Sequence, residues 1–215
     1  MSLVDLDEVD EPLVAELQAT LSNAELLRAA AFRFAEHRRR FVVCRGMLRR
    51  LLAERLGVPP DAIEFSYGPW GKPAVRTKGD AETAHFNVSR SGSSAVIALG
   101  CDRAVGVDVE RTALLRDVEA IARRYFSDDE RARIVAVPPD ERARAFARCW
   151  TRREAVLKAD GIGLSGLDMA PGAYEQIERG YVLRTRELGQ GRVVTVAVAT
   201  TAAEATGRVS RSRVR

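Results

Sequence analysis

Apolar residues recur at three- and four-residue intervals through Phe41, Met47, Leu48, Leu51, Leu52 and Leu56, and Gly57 follows the run. That spacing predicts an amphipathic helix over 40–56 closed by a glycine cap. A weaker helical pattern over 24–38 precedes it, opened by Ser22-Asn23. The period then falls to two. Ile63-Glu-Phe-Ser-Tyr67 alternates like a strand, and Gly68-Pro-Trp-Gly-Lys-Pro73 must be a loop because two prolines and two glycines fall within it. His85–Ser89 reads as a short strand. Ala95–Leu99 and Ala104–Val109 flank a Gly-Cys-Asp-Arg turn, which predicts a hairpin. A helix near 115–125 follows. Ser127-Asp-Asp-Glu130 is a capping box that opens the next helix. Pro138-Pro139-Asp140 ends that helix and begins a long one over 140–159, stopped by Gly161. Tyr181–Glu187 and Arg192–Thr200 read as closing strands, and the basic residues 208–215 as a frayed tail.

Helices then strands, followed by helices then strands, is the order of an α+β fold. The same order admits two similar halves joined near residue 104 without establishing a repeat. A chain of 215 residues with 46% apolar and 30% charged residues can bury a core and stay soluble. No apolar run reaches membrane-spanning length, and the N-terminus is acidic where a secretory leader is basic, so the expectation is a cytoplasmic protein. Cys44, Cys101 and Cys149 lie far apart, which argues against a disulfide framework or a cysteine-rich zinc site. Only two histidines are present, so any metal here should be a hard cation on carboxylates. A net charge of +4 suits an anionic partner without naming it.

Four clusters carry candidate chemistry. In Gly106-Val-Asp-Val-Glu110, strand alternation puts Asp108 and Glu110 on one face and the valines on the other. Two neighbouring carboxylates suit a cation site, although a solvated outer face has the same pattern. In Trp150-Thr-Arg-Arg-Glu-Ala-Val-Leu-Lys158, Glu154 falls inside the apolar stripe of Ala143, Phe146, Ala147, Trp150 and Leu157, with Lys158 at its edge. A local Glu154–Lys158 ion pair explains the spacing but not why a carboxylate turns inward. Phe86-Asn-Val-Ser-Arg-Ser-Gly92 gathers hydroxyls, an amide and an arginine suited to phosphate, or to a plain polar turn. Trp70-Gly-Lys-Pro73 offers a close backbone approach at Gly71 and a point charge at Lys72, or simply a surface turn. The run Arg28, Arg33, Arg38, Arg39, Arg40, Arg45, Arg49, Arg50 should be mostly solvated helix face. It admits a nucleic-acid surface, but no zinc-finger, RRM or KH signature accompanies it. Cys149 reads as a buried structural thiol.

The order WGKP, FNVSRS, GVDVE and WTRREAVLKADGIGL resembles the 4′-phosphopantetheinyl transferases of the surfactin-synthetase-activating type, from about Leu21 to Gly163. The resemblance implies transfer of the phosphopantetheine arm of coenzyme A to a serine of an acyl or peptidyl carrier protein, releasing 3′,5′-ADP. It implies an α+β fold of two similar αβ halves, 1–103 and 104–215, with the ligand cleft between them. It also implies Asp108, Glu110 and Glu154 as Mg²⁺ ligands, Glu154 also accepting the serine proton, directly or through water. Lys158 would contact phosphate, and Asn87, Ser89 and Arg90 would form the pyrophosphate loop. Lys72 and Pro73 would lie beside adenine, and Arg28 with Arg40 would hold the 3′-phosphate. Arg90 stands where the family usually has histidine, so phosphate binding survives there while acid–base chemistry does not. The implied partners are carrier domains and coenzyme A, with no nucleic acid and no membrane, and the expected state is a monomer. The competing readings are a basic nucleic-acid-binding module and a homologue that binds carriers without catalysis.

Overall fold

A computed structural model describes residues 1–76, 84–163, 166, 169 and 171–200. The fold is α+β, and its first unit begins with strand β1 (Ser2–Asp5) and helices α1 (Glu11–Ala19), α2 (Asn23–Ala30) and α3 (Ala35–Leu56). The short hairpin β2 (Phe65–Tyr67) and β3 (Pro73–Val75) follows, then β4 (His85–Ser91) and β5 (Ser94–Gly100). The second unit comprises β6 (Val105–Arg111), α4 (Val118–Tyr125), α5 (Asp128–Val135), α6 (Arg142–Asp160), α7 (Pro171–Glu178), β7 (Tyr181–Leu188) and β8 (Arg192–Ala199).

Two three-stranded antiparallel sheets carry the architecture, ordered β1-β5-β4 and β6-β8-β7. The same strand order recurs in both. The first strand of each unit pairs with its last, and the last with the one before it. Phe86 and Ile97 pack on Leu48 and Leu52 of α3. Val96 and Ala98, on the opposite face of β5, pack on Val105, Val107, Val109 and Val194. Ala197, which faces the other way from Val194 on β8, packs with Ala155, Val156 and Leu157 of α6. The layers therefore run helix, sheet, sheet, helix, and the second sheet is pressed between the first sheet and α6.

Local expectations and tertiary pairing part company in places. The helical pattern over 24–38 is broken: α2 stops at Ala30, Phe34 takes an extended backbone (φ −101°, ψ 134°), and α3 begins at Ala35. The break lets Phe32 pack on Phe41, with ring centroids 5.5 Å apart. Residues 95–99 and 104–109 do not form a hairpin. β5 pairs with β1 and β4, while β6 pairs with β8, so the chain crosses from one sheet to the other at the expected turn. Elements β1, α1, β3 and α7 are additions to the expected set. α1 had a legible signal, with Asp10 as its cap, Pro12 in its first turn and Leu13, Val14, Leu17 and Leu21 at helical spacing, and Pro73, expected in a loop, begins β3. The basic tail 208–215 lies outside the described residues.

The capping boxes form as expected at Ser22/Glu25 and Ser127/Glu130, and Gly57 and Gly161 close α3 and α6 in the left-handed region. Not all the arginines are solvated. Arg49 is 1% exposed, and its Nε and Nη2 contact Glu25 at 2.8 and 2.7 Å, while Arg45 Nε lies 3.3 Å from the same carboxylate. The capping glutamate of α2 is thus the counter-ion for two arginines of α3, which explains how a guanidinium enters the core.

Candidate active site

β4 runs alongside β6, in the same direction, without a backbone ladder between them. The gap is bridged by side chains instead. Asn87 Oδ1 accepts the Val107 N–H at 3.0 Å, Ser89 Oγ the Val109 N–H at 3.3 Å, and Ser91 Oγ the Arg111 N–H at 3.1 Å. Alternation along β4 points residues 87, 89 and 91 to one face, and that polar stripe satisfies the N–H edge of β6 that no strand covers. Phe86 and Val88 take the other face, against α3. Arg90 belongs to that side and is exposed at its end.

On β6 the valines face the first sheet, and Gly106, Asp108 and Glu110 face α6. Gly106 is the point of closest approach. A Cβ there would lie 1.9 Å from the Ala155 carbonyl oxygen and 2.5 Å from the Ala159 nitrogen. With hydrogen alone at this position, the backbone of α6 lies directly on β6. One turn of helix then brings Glu154 and Lys158 over Asp108.

The contacts at this point are dense. Ser89 Oγ donates to Asp108 Oδ1 at 2.7 Å, and Ser91 Oγ donates to Glu110 Oε2 at 2.9 Å. Lys158 Nζ donates to Asp108 Oδ1 and to Ser89 Oγ, the latter at 3.1 Å, and lies 3.7 Å from Glu154 Oε2. Asp108 is 3% and Glu154 8% exposed. Burial pushes both carboxyls above their usual range, with Lys158 pulling the other way. Glu110 is pushed up to about 7, first by burial and then by the Asp108 charge, while the Ser91 hydrogen bond opposes the shift. Three carboxylates sharing one ammonium hold their protons tightly for want of positive charge.

Such a site fits a hard cation. Among the described residues, no three His, Cys, Asp or Glu side chains form a ready-made cage, because Lys158 sits between Asp108 and Glu154 as the local cation. However, Asp108 Oδ2 is buried without a hydrogen-bond partner, and the Glu110 and Glu154 carboxyls are close enough to feel the Asp108 charge, a donor set of oxygens that suits a hard cation.

The sequence-derived residues divide into two sets. Asn87, Ser89, Asp108, Glu110, Glu154 and Lys158 meet at the seam. Lys72 reaches it from the side: its Nζ donates to the Ala159 carbonyl at 2.7 Å, tying the loop before β3 to the end of α6, and Pro73 pairs across to Tyr67 as the first residue of β3. Arg28 and Arg40 are engaged elsewhere. The Arg28 guanidinium lies over the Phe41 ring at 5.4 Å, and Arg40 makes a two-pronged contact with Asp7 at 2.8 and 2.6 Å. Cys149 is partly buried, and burial raises its thiol pKa, in keeping with a structural role. Sequence reasoning included Ser91 and Gly106 in its clusters without giving either a role, and it missed Asp7. The i, i+2, i+4 spacing of Asn87, Ser89 and Ser91 was the signal that could have given Ser91 its role.

The geometry alone defines a class: an α+β protein in which an acidic cluster and a lysine converge where one sheet meets another beneath a long helix. Comparison with known proteins names that class. Residues 104–186 match the family model of the 4′-phosphopantetheinyl transferase superfamily, and residues 11–101 match that of the 4′-phosphopantetheinyl transferase N-terminal region. The chain is 38% identical over 165 residues to the 4′-phosphopantetheinyl transferase HetI of Nostoc sp., covering 77% of this chain and 69% of that protein. It is 36% identical over 171 residues to a phosphopantetheinyl transferase of Thraustochytrium sp., covering 73% and 58%. It is 32% identical over 119 residues to 4′-phosphopantetheinyl transferase Sfp of Bacillus subtilis, covering 55% and 50%. The matched region thus spans about half to two thirds of these relatives' own lengths. The chain belongs to the 4′-phosphopantetheinyl transferase superfamily.

Proposed function

We propose that this protein transfers the 4′-phosphopantetheine arm of coenzyme A to a serine of an acyl or peptidyl carrier protein and releases 3′,5′-ADP. The observation that carries the reading is the convergence of Asp108, Glu110, Glu154 and Lys158 at the seam, in a chain of this family. In the reaction the serine Oγ bonds to the phosphorus that bears pantetheine. The bond from that phosphorus to the bridging oxygen breaks, and the electron pair leaves with 3′,5′-ADP. The serine proton passes to Glu154, directly or across one water. A carboxylate that also holds a metal would be a weak base, which favours the route across a water.

Asp108, Glu110 and Glu154 are the residues to hold Mg²⁺, which when bound supplies positive charge against the pyrophosphate. Lys158 adds a fixed cation and Ser89 a hydroxyl. Arg90 is assigned to the pyrophosphate as well, but its side chain lies on the α3 side of β4 near Cys44, so a phosphate it contacts must reach that side of the strand. Arg28 and Arg40 are assigned to the 3′-phosphate. For Arg40 that phosphate must displace or share the Asp7 carboxylate. Lys72 and Pro73 form the adenine-side loop, and Asn87 shapes the pyrophosphate loop. The residues divide into halves 1–103 and 104–215, with coenzyme A in the cleft between them. The recurring strand order and the change of sheet between β5 and β6 support that division. No helix of the described residues is long and apolar enough to cross a membrane, and we assign the protein to the cytoplasm as a monomer.

The test is incubation with coenzyme A, Mg²⁺ and a panel of apo carriers from fatty-acid, polyketide and nonribosomal-peptide systems, read by intact mass. The wild-type protein should add the phosphopantetheine mass to at least one carrier, and Asp108→Ala and Glu154→Gln should not. Full transfer by either variant would sink the assignment of the acidic cluster.

A further inference from the structure

We propose that Ser91 is a positioning residue of the acidic cluster: it locks the Glu110 carboxylate in the orientation in which one oxygen is left for the metal. The inference rests on the assignment of Glu110 above. Sequence alone counts Ser91 among the hydroxyls of the Phe86–Gly92 cluster and gives it no role of its own.

The argument is one of proton placement. A serine hydroxyl has one hydrogen to donate and two lone pairs with which to accept. The Arg111 N–H already points at Ser91 Oγ, at 3.1 Å, and takes one lone pair. The hydroxyl hydrogen must therefore lie away from that N–H, and Glu110 Oε2 receives it at 2.9 Å. A backbone amide thus fixes the serine rotor, and the serine fixes the carboxylate. The donor is neutral, so it orients Glu110 without cancelling the charge a cation needs. Ser89 does the same for Asp108. It accepts the Val109 N–H and the Lys158 ammonium and gives its hydrogen to Asp108 Oδ1, which leaves Oδ2 buried and without a partner. The two serines sit two residues apart, as do the two carboxylates, so one strand of hydroxyls indexes one strand of ligands. The stripe that joins the sheets is also the outer shell of the cation site.

Partners that orient metal ligands in this way are worth about 10–100-fold in metal affinity when removed. The experiment titrates Mn²⁺ into the full chain with coenzyme A present, followed by the electron paramagnetic resonance signal of free Mn²⁺, beside a thermal melt of each variant. Ser91→Ala should weaken Mn²⁺ binding about tenfold or more, raise the metal concentration needed for half-maximal transfer, and leave the KM for coenzyme A at saturating metal near wild type. Ser91→Thr, which keeps the hydroxyl, should recover most of the affinity. In a Glu110→Gln background the Ser91→Ala change should have no further effect on Mn²⁺ binding. Wild-type Mn²⁺ affinity in Ser91→Ala, or an equal loss in Ser91→Ala and Ser91→Thr, overturns the positioning role and leaves the transferase reading intact. A wild-type protein that transfers phosphopantetheine yet binds no Mn²⁺ overturns both this role and the metal assignment.

Discussion

Placing a methyl group at Gly106 should separate the two sides of the site more cleanly than any change to a charged residue. In Gly106→Ala the new Cβ starts 1.9 Å from the Ala155 carbonyl oxygen, 2.5 Å from the Ala159 nitrogen and 2.9 Å from the Ala159 Cβ. Two of these three atoms are backbone, so no rotamer change relieves the contact. Reaching even 3.0 Å from the Ala155 oxygen requires α6 and β6 to part by about 1.1 Å. Glu154 and Lys158 ride on α6, and Lys158 currently spans from that helix to Asp108 and Ser89. Overpacking of this kind costs about 1–3 kcal/mol of stability. A misplacement near 1 Å at a catalytic centre costs on the order of 100-fold in rate. The assay is transfer to an apo carrier, paired with urea unfolding, for Gly106→Ala and for Gly68→Ala as control. At Gly68 a Cβ would meet only the Lys72 carbonyl oxygen at 3.7 Å, an ordinary contact, and the variant should behave as wild type. The expected result is a Gly106→Ala protein that still folds, is less stable, and has lost most of its kcat with a smaller change in the KM for coenzyme A. A Gly106→Ala variant with wild-type kcat would refute the claim that close helix-on-strand packing sets the geometry of the acidic cluster.

Two further changes probe the rest of the account. Glu25→Ala strands Arg49 in the core without its counter-ion and also removes the α2 capping box, so urea unfolding should show a loss of about 3–5 kcal/mol. A loss below about 1 kcal/mol would mean that the buried pair contributes no more than an exposed one. For Glu110, burial raises the folded-state pKa to about 7 from an ordinary 4.5. A raised carboxyl stabilises the fold fully below the unfolded value, and that contribution is lost as the pH climbs through the folded value. At about 1.4 kcal/mol per pH unit the full shift is worth about 3 kcal/mol, and water reaching this half-buried group reduces it to about 1–2 kcal/mol. In chelator-treated protein, Glu110→Gln should therefore gain stability relative to wild type by that amount between pH 5 and pH 8, and a flat difference would count against the burial argument.

Much of the secondary structure was written locally. The periodic runs after Ala35 and Arg142, the two capping boxes, and the glycines after α3 and α6 all depend on neighbours within one or two turns, so spacing alone located them. The break at Phe34 has no such local signal, and its consequence is tertiary, since it lets Phe32 pack on Phe41. The expected hairpin failed for a related reason. Residues 95–99 and 104–109 are both good strands around a turn, and nothing in their own composition says that each finds its partner elsewhere, in β1 and β4 for one and β8 for the other.

At the site, the residue types and their order were enough to single out Asp108, Glu110, Glu154 and Lys158 and to attach them to a family, because chemistry and spacing are carried by the chain itself. What those residues touch was decided only in three dimensions. Whether Asp108 and Glu110 faced solvent or the interior depended on which side of β6 received α6, and that depended on Gly106 being small enough to admit a helix backbone. The role of Ser91 arose because β6 has an uncovered N–H edge that hydroxyls of β4 happen to reach. Arg40 and Lys72, selected for phosphate and adenine, are held by Asp7 and the Ala159 carbonyl, contacts between residues far apart in sequence. The sequence by itself determined which groups are available. The packing of two sheets and one helix determined which of them meet, because burial, close approach and hydrogen-bond geometry are properties of the assembled layers and of no single segment.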